Sequence, residues 1–281
     1  MNYGLISDIH ANLESLEAVL KELEGVHAFL CMGDIVGYGA DPGPCLERVR
    51  ALPRLICVAG NHDLAAVGSY DPNWFNPFAR AAIEWTAQQL TPVQKDYLRS
   101  LPLSAHADGA VIVHGSLPDE MDYITSPDEA RLCFDAMPGD LALIGHTHVT
   151  ECYRTRRAST PLPQDPAEVR GATLSLPPLG FARGDPELVE GPKGRGSRFP
   201  EQVALWSGGA IDLNEGVRYI VNAGAVGQPR DGNPAASFGV WRVEDRVIEL
   251  RRVAYDIERA QAKMGAAGLP EYLIERLATG R

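Results

Sequence analysis

Through the first half of the chain, short unbroken apolar runs alternate with stretches whose apolar residues recur every three or four positions. Tyr3–Ile6 is a run of the first kind and reads as a buried strand. Asn12 follows as a helix cap, and Leu13, Leu16, Leu20 and Leu23 fall on one face of the helix it would start. His27–Met32 is strand-like again, a Gly/Pro-rich loop comes next, and Leu55–Ala59 repeats the strand pattern. Helices are predicted near 77–90 and 92–100, with Phe78, Ala82, Ile83, Thr86 and Leu90 at helical spacing. Ala110–Val113 and Leu141–Ile144 read as two further strands, separated by a helix near Pro127–Ala136.

Between Arg154 and Pro200 the periodicity fails, and eight prolines and six glycines fall in that stretch. A long irregular insertion is expected there. Beyond Glu201 strands dominate, at Val203–Trp206, Tyr219–Val221, Ser237–Arg242 and Val247–Val253, and helices at Asp256–Met264 and Pro270–Ala278 close the chain. Alternation followed by hairpins predicts an α/β fold, built on a mixed sheet or on two sheets packed together with helices outside. The whole of residues 1–281 is read as one domain carrying the insertion at 154–200.

Five polar clusters each follow an apolar run: Asp8-Ile9-His10, Gly33-Asp34, Gly60-Asn61-His62-Asp63, His114-Gly115 and Gly145-His146-Thr147-His148. Sites on open α/β sheets form beyond the carboxyl ends of strands, so these groups are expected to converge. Five of the seven histidines lie in the clusters, with only His27 and His106 outside. Imidazole and carboxylate ligands without thiolate suit Mn, Fe, Zn, Co or Ni better than Mg or Ca. Asp34, between Gly33 and a glycine-rich loop, is the natural ligand to bridge two ions, because a carboxylate has two oxygens. Two divalent ions roughly 3.5–4 Å apart activate water and clamp a phosphate oxygen. Singly, each cluster has another reading, as a helix cap, a turn or an Asx loop; five in order argue for a site.

Charge and cysteine usage narrow the picture. The net charge of −11 repels nucleic-acid backbones, and no basic tail or arm offsets it, so a nucleic-acid partner is not expected. Bound cations would reverse the sign of the field at one place and so attract an anionic substrate. The five cysteines show no CxxC spacing and read as reduced, buried thiols of a cytoplasmic protein. No apolar stretch of about 18 residues exists to span a membrane. Because Asp8 already belongs to a cluster, the mature chain is expected to start near Met1.

The five clusters together resemble the calcineurin-like metallophosphoesterases, whose pattern is D-x-H, G-D, G-N-H-[DE], H and G-H-x-H. The segments Gly33-Asp34-Ile35-Val36-Gly37-Tyr38-Gly39 and Asn222-Ala223-Gly224-Ala225-Val226-Gly227-Gln228-Pro229-Arg230-Asp231 resemble a bacterial branch of small phosphoesterases within it. That branch usually reads Asp-Ile-His-Gly-Asn where this chain has Ala11 before Asn12. The resemblance implies a four-layer α/β/β/α sandwich of two mixed sheets. It implies two divalent transition-metal ions, manganese foremost. Asp8, His10, Asp34 and His148 would hold one, and Asp34, Asn61, His114 and His146 the other. His62 would contact the phosphate, stabilise charge in the transition state or protonate the leaving group, with Asp63 orienting its ring; Asn61 would also meet the substrate, and Arg230 would either contact substrate or form a surface ion pair. The implied reaction is attack on phosphorus by a hydroxide bridging the ions, on a small phosphate ester or nucleotide, as a phosphodiesterase or phosphatase. A protein serine/threonine phosphatase shares the ligand set. A nuclease would need a basic face. A non-catalytic scaffold on this fold, such as the retromer subunit, departs from the catalytic pattern, whereas all seven ligands and His62 are present here.

Overall fold

The apolar runs that are buried on both faces become the inner strands of two stacked sheets. A computed structural model describes residues 1–157 and 200–281 and the backbone of 169–170. In chain order the strands are β1 (Asn2–Ile6), β2 (Ala28–Cys31), β3 (Leu55–Cys57), β4 (Ser104–Ala107), β5 (Ala110–Val113), β6 (Leu141–Ile144), β7 (Thr150–Arg156), β8 (Val169–Arg170), β9 (Glu201–Ala204), β10 (Gly209–Asp212), β11 (Val217–Ala223), β12 (Ala236–Arg242) and β13 (Val247–Val253). One seven-stranded sheet runs β3-β2-β1-β12-β13-β10-β8 and a six-stranded sheet runs β4-β5-β6-β11-β7-β9. Both are mixed: β1, β2 and β3 are mutually parallel, as are β5, β6 and β11, and the other pairings are antiparallel.

The period-two geometry of a strand assigns alternate residues to different layers. Leu5, Leu30, Met32, Ile112, Leu143 and Val221 fill the space between the sheets, with Tyr3 stacked on Trp241 at a centroid distance of 5.5 Å. Their neighbours Ile6, Phe29 and Cys31 turn the other way, onto helices α1 (Leu13–Glu22) and α2 (Pro42–Arg50). On the far side Val111, Val113, Ala142 and Ile144 meet α6 (Pro127–Ala136) through Cys133 and Phe134. The result is the four-layer α/β/β/α sandwich that the resemblance implied. Helices α3 (Asn61–Ala66), α4 (Pro77–Gln89), α5 (Pro92–Ser100), α7 (Ile257–Ala266) and α8 (Glu271–Glu275) complete the chain. Among the described residues no helix is long and apolar enough to cross a membrane.

The Asn12 cap forms as expected, its side chain accepting from the Ser15 backbone N–H at 3.2 Å. The Gly/Pro-rich loop covers residues 33–41, but its proline-rich end opens α2: Pro42 occupies the first turn, where the missing N–H costs nothing, and Cys45, Leu46 and Val49 are buried. The expected insertion also begins too early at Arg154, because β7 pairs with β11 as far as Arg156. The charged Arg154, Arg156 and Arg157 hid that strand; the remainder of the predicted insertion, apart from the backbone of 169–170 and from Pro200, lies outside the described residues. All five cysteines are buried and unpaired.

Glu151 on β7 gives one stability prediction. Its carboxylate accepts from the Gln202 amide at 2.7 Å and the Tyr153 hydroxyl at 3.2 Å, but burial pushes it up to about 7. The folded state therefore keeps this proton after the unfolded chain has lost it, and the stability it confers drains away as pH rises from about 4.5 to about 7. Glu151→Gln should remove that slope and gain up to about 3 kcal/mol over the parent at pH 8. Urea unfolding of both proteins at pH 5 and pH 8 measures it, and parallel pH dependences would reject the assignment.

Candidate metal centre

The carboxyl ends of all six parallel strands open on the same edge of the sandwich, and each delivers one part of the site. Asp8 and His10 follow β1, Asp34 follows β2, Asn61 and His62 open α3 after β3, His114 follows β5, His146 and His148 follow β6, and Arg230 follows β11. Except for Asn61 and Arg230, every one of these side chains is less than 4% exposed.

Asp8, His10, Asp34, His146 and His148 all carry positive φ, between 48° and 68°. Left-handed backbone at non-glycine residues costs free energy, and its concentration here marks a site whose geometry the surroundings impose. Ala11 is also left-handed, at φ 53°, so the chain holds with alanine a turn that glycine makes freely. Cross-links between the loops hold the strain: Asp8 N–H donates to Gly33 O, His10 N–H to Asp34 O and Ala11 N–H to Ile35 O, at 2.9–3.0 Å. Gly60 and Gly145 are among the glycines that close approach requires. A Cβ on Gly60 would lie 2.0 Å from Asp34 Oδ1, and one on Gly145 would lie 1.9 Å from Ser7 Oγ and 2.6 Å from Asp8 Oδ2.

The ligand-type atoms of Asp8, His10, Asp34 and His148 all lie within 4.8 Å of one another, and so do those of Asp34, His114 and His146. Asp34 is common to both groups. In each ring one nitrogen donates to a backbone carbonyl: His10 Nδ1 to Val36 O (3.2 Å), His114 Nδ1 to Met32 O (2.6 Å), His148 Nδ1 to Gln228 O (2.6 Å) and His146 Nε2 to Met121 O (2.9 Å). That fixes each tautomer and turns the other nitrogen toward the cluster, the arrangement by which proteins orient imidazole ligands.

The polar atoms in the middle then lack partners. Asp34 Oδ2, Asn61 Oδ1 and His114 Nε2 are buried without a hydrogen bond. Once both Nδ1 atoms donate elsewhere, the Nε2 lone pairs of His10 and His148 face each other at 3.1 Å. Unpaired buried polar atoms are costly, and facing lone pairs repel. Cations between them satisfy all of these atoms, so the residues fit a dinuclear divalent metal site. The electrostatics agree. Burial pushes Asp8 up to about 6, opposed by His114 and reinforced by Asp34. Burial acts to lower His114, but Asp34, 3.4 Å from its Nε2, overrides it and lifts the imidazole to about 10. A metal taken up here displaces that proton.

His62 stands beside the clusters. Its ring packs edge-on against His10 and Phe75, each at 4.8 Å, and lies 4.4 Å from Tyr38. Burial lowers it to about 4. The expectation that Asp63 orients this ring is corrected: Asp63 Oδ1 accepts from the N–H groups of Ile35 and Val36, and Oδ2 from Gly60, while His62 Nδ1 has no partner. Asp63 thus ties the loop after β2 to the start of α3, where three backbone donors compete more closely for it than the neighbouring ring does. Arg230 reaches the rim, donating to the Tyr38 hydroxyl at 3.2 Å and to Gln228 Oε1 at 3.3 Å. The acceptor carbonyls of Met32, Val36, Met121 and Gln228 escaped sequence reading because a backbone oxygen leaves no residue signature. Tyr38 lies in the Gly33–Gly39 segment, but nothing in its type marks it as a neighbour of His10. Asn222 opens the Asn222–Asp231 segment; its amide donates to Gly145 O and Thr147 Oγ1, at 2.7 and 2.9 Å, and so braces the loop that carries His146 and His148.

Comparison with known proteins agrees with this geometry. Residues 1–172 match the calcineurin-like phosphoesterase superfamily domain. The chain is 33% identical over 286 residues to the uncharacterized protein MJ0912 of Methanocaldococcus jannaschii, across 99% of this chain and 98% of that one. It superposes on the crystal structure of a metallophosphoesterase from Sphaerobacter thermophilus with a TM-score of 0.77 and 38% identity, covering 100% of this chain and 99% of that one. The hypothetical protein PH1004 of Pyrococcus horikoshii OT3 shares the fold, with a TM-score of 0.70 and 17% identity over 100% of this chain and 98% of its own. The buried Asp/His clusters and the matched domain together fit a metal-dependent phosphoester hydrolase, and the chain belongs to the calcineurin-like phosphoesterase superfamily.

Proposed function

We propose that this protein hydrolyses phosphate esters of small molecules or nucleotides, as a phosphodiesterase or phosphatase, with two divalent ions in the buried centre. The observation that carries the reading is the sharing of Asp34 between two ligand groups, with its Oδ2 unpartnered. Asp8, His10, Asp34 and His148 would hold one ion, and Asp34, Asn61, His114 and His146 the other. The nitrogen-rich, thiolate-free set favours manganese and also suits iron, zinc, cobalt or nickel. Such ions, when bound, bring the pKa of water near neutrality and offset phosphate charge.

The chain's own groups supply the rest. Arg230 and His62 both lie against Tyr38, and His62 also packs on His10, so both would be at hand to hold phosphate oxygens. His62, kept neutral by burial, would donate a hydrogen bond to the ester and receive the rising negative charge of the leaving oxygen. Asp63 acts on the backbone, fixing the turn that carries Asn61 and His62. His62→Ala should lower kcat about 10²- to 10³-fold while metal content, read by elemental analysis, stays at the parental level. Turnover of bis-p-nitrophenyl phosphate and p-nitrophenyl phosphate measures this, and their ratio separates diesterase from monoesterase. Parental kcat in the variant would remove His62 from the reaction.

A further inference from the structure

Among the described residues, Tyr123 is the member of the site's aromatic surround that is turned outward. Its ring stacks on His146 with centroids 3.8 Å apart and planes within 12°, yet the residue is 48% exposed. One face of the phenol therefore covers a residue of the second ligand group, and the other looks out of the site. The ring is not loosely held. Ile124, the next residue, is 1% exposed in the core beneath α6, and Asp122 N–H closes a turn on Asp119 O at 3.0 Å. The Met121 carbonyl is bound to His146 Nε2 at 2.9 Å, so the chain is anchored to the centre two residues before the ring and to the core one residue after it. An exposed aromatic ring fixed in this way presents a flat surface without further ordering cost.

The charges around it say what kind of group fits. Asp119, Glu120 and Asp122 stand in the same loop, and the charges of Asp119 and Asp122 act on Tyr70, which packs on Phe75 at 5.9 Å and so continues the aromatic wall to His62. Those carboxylates repel a second phosphate on this side. They do not repel a neutral heteroaromatic ring, and they accept hydrogen bonds from exocyclic amino groups. The guanidinium of Arg230 lies by Tyr38 and the first ligand group, the side suited to an anion.

We propose that the outer face of Tyr123 is the stacking platform for a nucleobase, so that the site takes a nucleotide-type ester with its base over Tyr123 and its phosphate between Arg230 and the ligand clusters; this rests on the hydrolase reading above. Stacking on one aromatic side chain corresponds to about a five- to 150-fold change in affinity.

The test uses the metal-loaded full chain and three inhibitors of bis-p-nitrophenyl phosphate turnover: adenosine 5′-monophosphate, phenyl phosphate and ribose 5-phosphate. The nucleotide should bind at least about fivefold more tightly than ribose 5-phosphate, with phenyl phosphate between them. Tyr123→Leu should bring the nucleotide-to-ribose ratio toward one, and Tyr123→Phe should keep it. Saturation-transfer NMR adds a readout independent of turnover: the adenine protons should receive the strongest saturation from the parent and lose it selectively in Tyr123→Leu. Equal inhibition by all three esters in the parent, or a Tyr123→Leu loss shared equally so that the ratio is unchanged, overturns the platform and leaves the hydrolase reading standing. Phenyl phosphate binding as tightly as the nucleotide assigns the face to aryl esters and overturns the nucleobase. Absence of any metal-dependent turnover overturns both.

Discussion

Asp34→Asn should abolish turnover, by about 10³-fold or more, while leaving the fold intact. Replacing a residue that merely orients a ligand costs about 10–100-fold in metal affinity or activity, and Asp34 stands closer to the chemistry than that. Its Oδ2 lies 3.5 Å from His10 Nε2 and 3.4 Å from His114 Nε2, one in each ligand group, so it alone belongs to both. An amide at this position keeps an oxygen to accept the His62 backbone N–H, a bond now 2.9 Å long, and keeps the shape of the turn after β2. What it removes is the negative charge and the second oxygen that would bridge two cations. Elemental analysis should find less than the full metal content, and circular dichroism should match the parent. Normal metal content with normal turnover would remove Asp34 from the bridging position.

The second large effect is on stability. Asp34 Oδ2, Asn61 Oδ1 and His114 Nε2 are buried without partners, and His10 and His148 present their Nε2 atoms to each other at 3.1 Å. These are native-state costs that a bound cation relieves and that the unfolded chain does not share. A ligand confined to the folded state stabilises it by about 4 kcal/mol at a thousandfold excess over its Kd. For a chain of this size each kcal/mol raises Tm by about 2–4 °C. Adding Mn²⁺ to metal-stripped protein should therefore raise Tm by about 10 °C, and Asp34→Asn should blunt most of that rise. Differential scanning calorimetry of the four samples measures it. A Tm indifferent to every divalent ion would mean that the clusters do not bind metal.

How much of this was legible beforehand differs by element. The double-sided burial of Ala28–Cys31, Ala110–Val113 and Leu141–Ile144 left unbroken apolar runs, and those strands were placed within a residue or so of their bounds. β4 (Ser-Ala-His-Ala) is an edge strand with polar outward positions, and β10 (Gly-Ala-Ile-Asp) has one large apolar residue among small and polar ones, so neither left a run to read. Helix α2 was hidden by two prolines that sit where a helix tolerates them. Whether the sheets stacked face to face was not in the periodicity at all, since a fully apolar strand is the same string whichever layer covers it.

The site divides in the same way. Carboxylates and imidazoles announce themselves by residue type, and the cluster order placed Asp8, His10, Asp34, Asn61, His114, His146 and His148 on one edge. The role expected of Asp63 failed because hydrogen-bond partners are decided in three dimensions: adjacency to His62 in the chain put the carboxylate beside three backbone N–H groups instead. Tyr123 carried no signal either, since one tyrosine in an acidic loop is unremarkable until His146 is found beneath it.

The measurement that bears most directly on the dinuclear hydrolase is a titration of metal-stripped protein with Mn²⁺ while the hydrolysis of bis-p-nitrophenyl phosphate is followed. The account predicts no turnover without metal, a rate that rises and levels off near two equivalents per chain, and no such rise in Asp34→Asn. Turnover in the stripped protein, or none with any divalent metal, would contradict it.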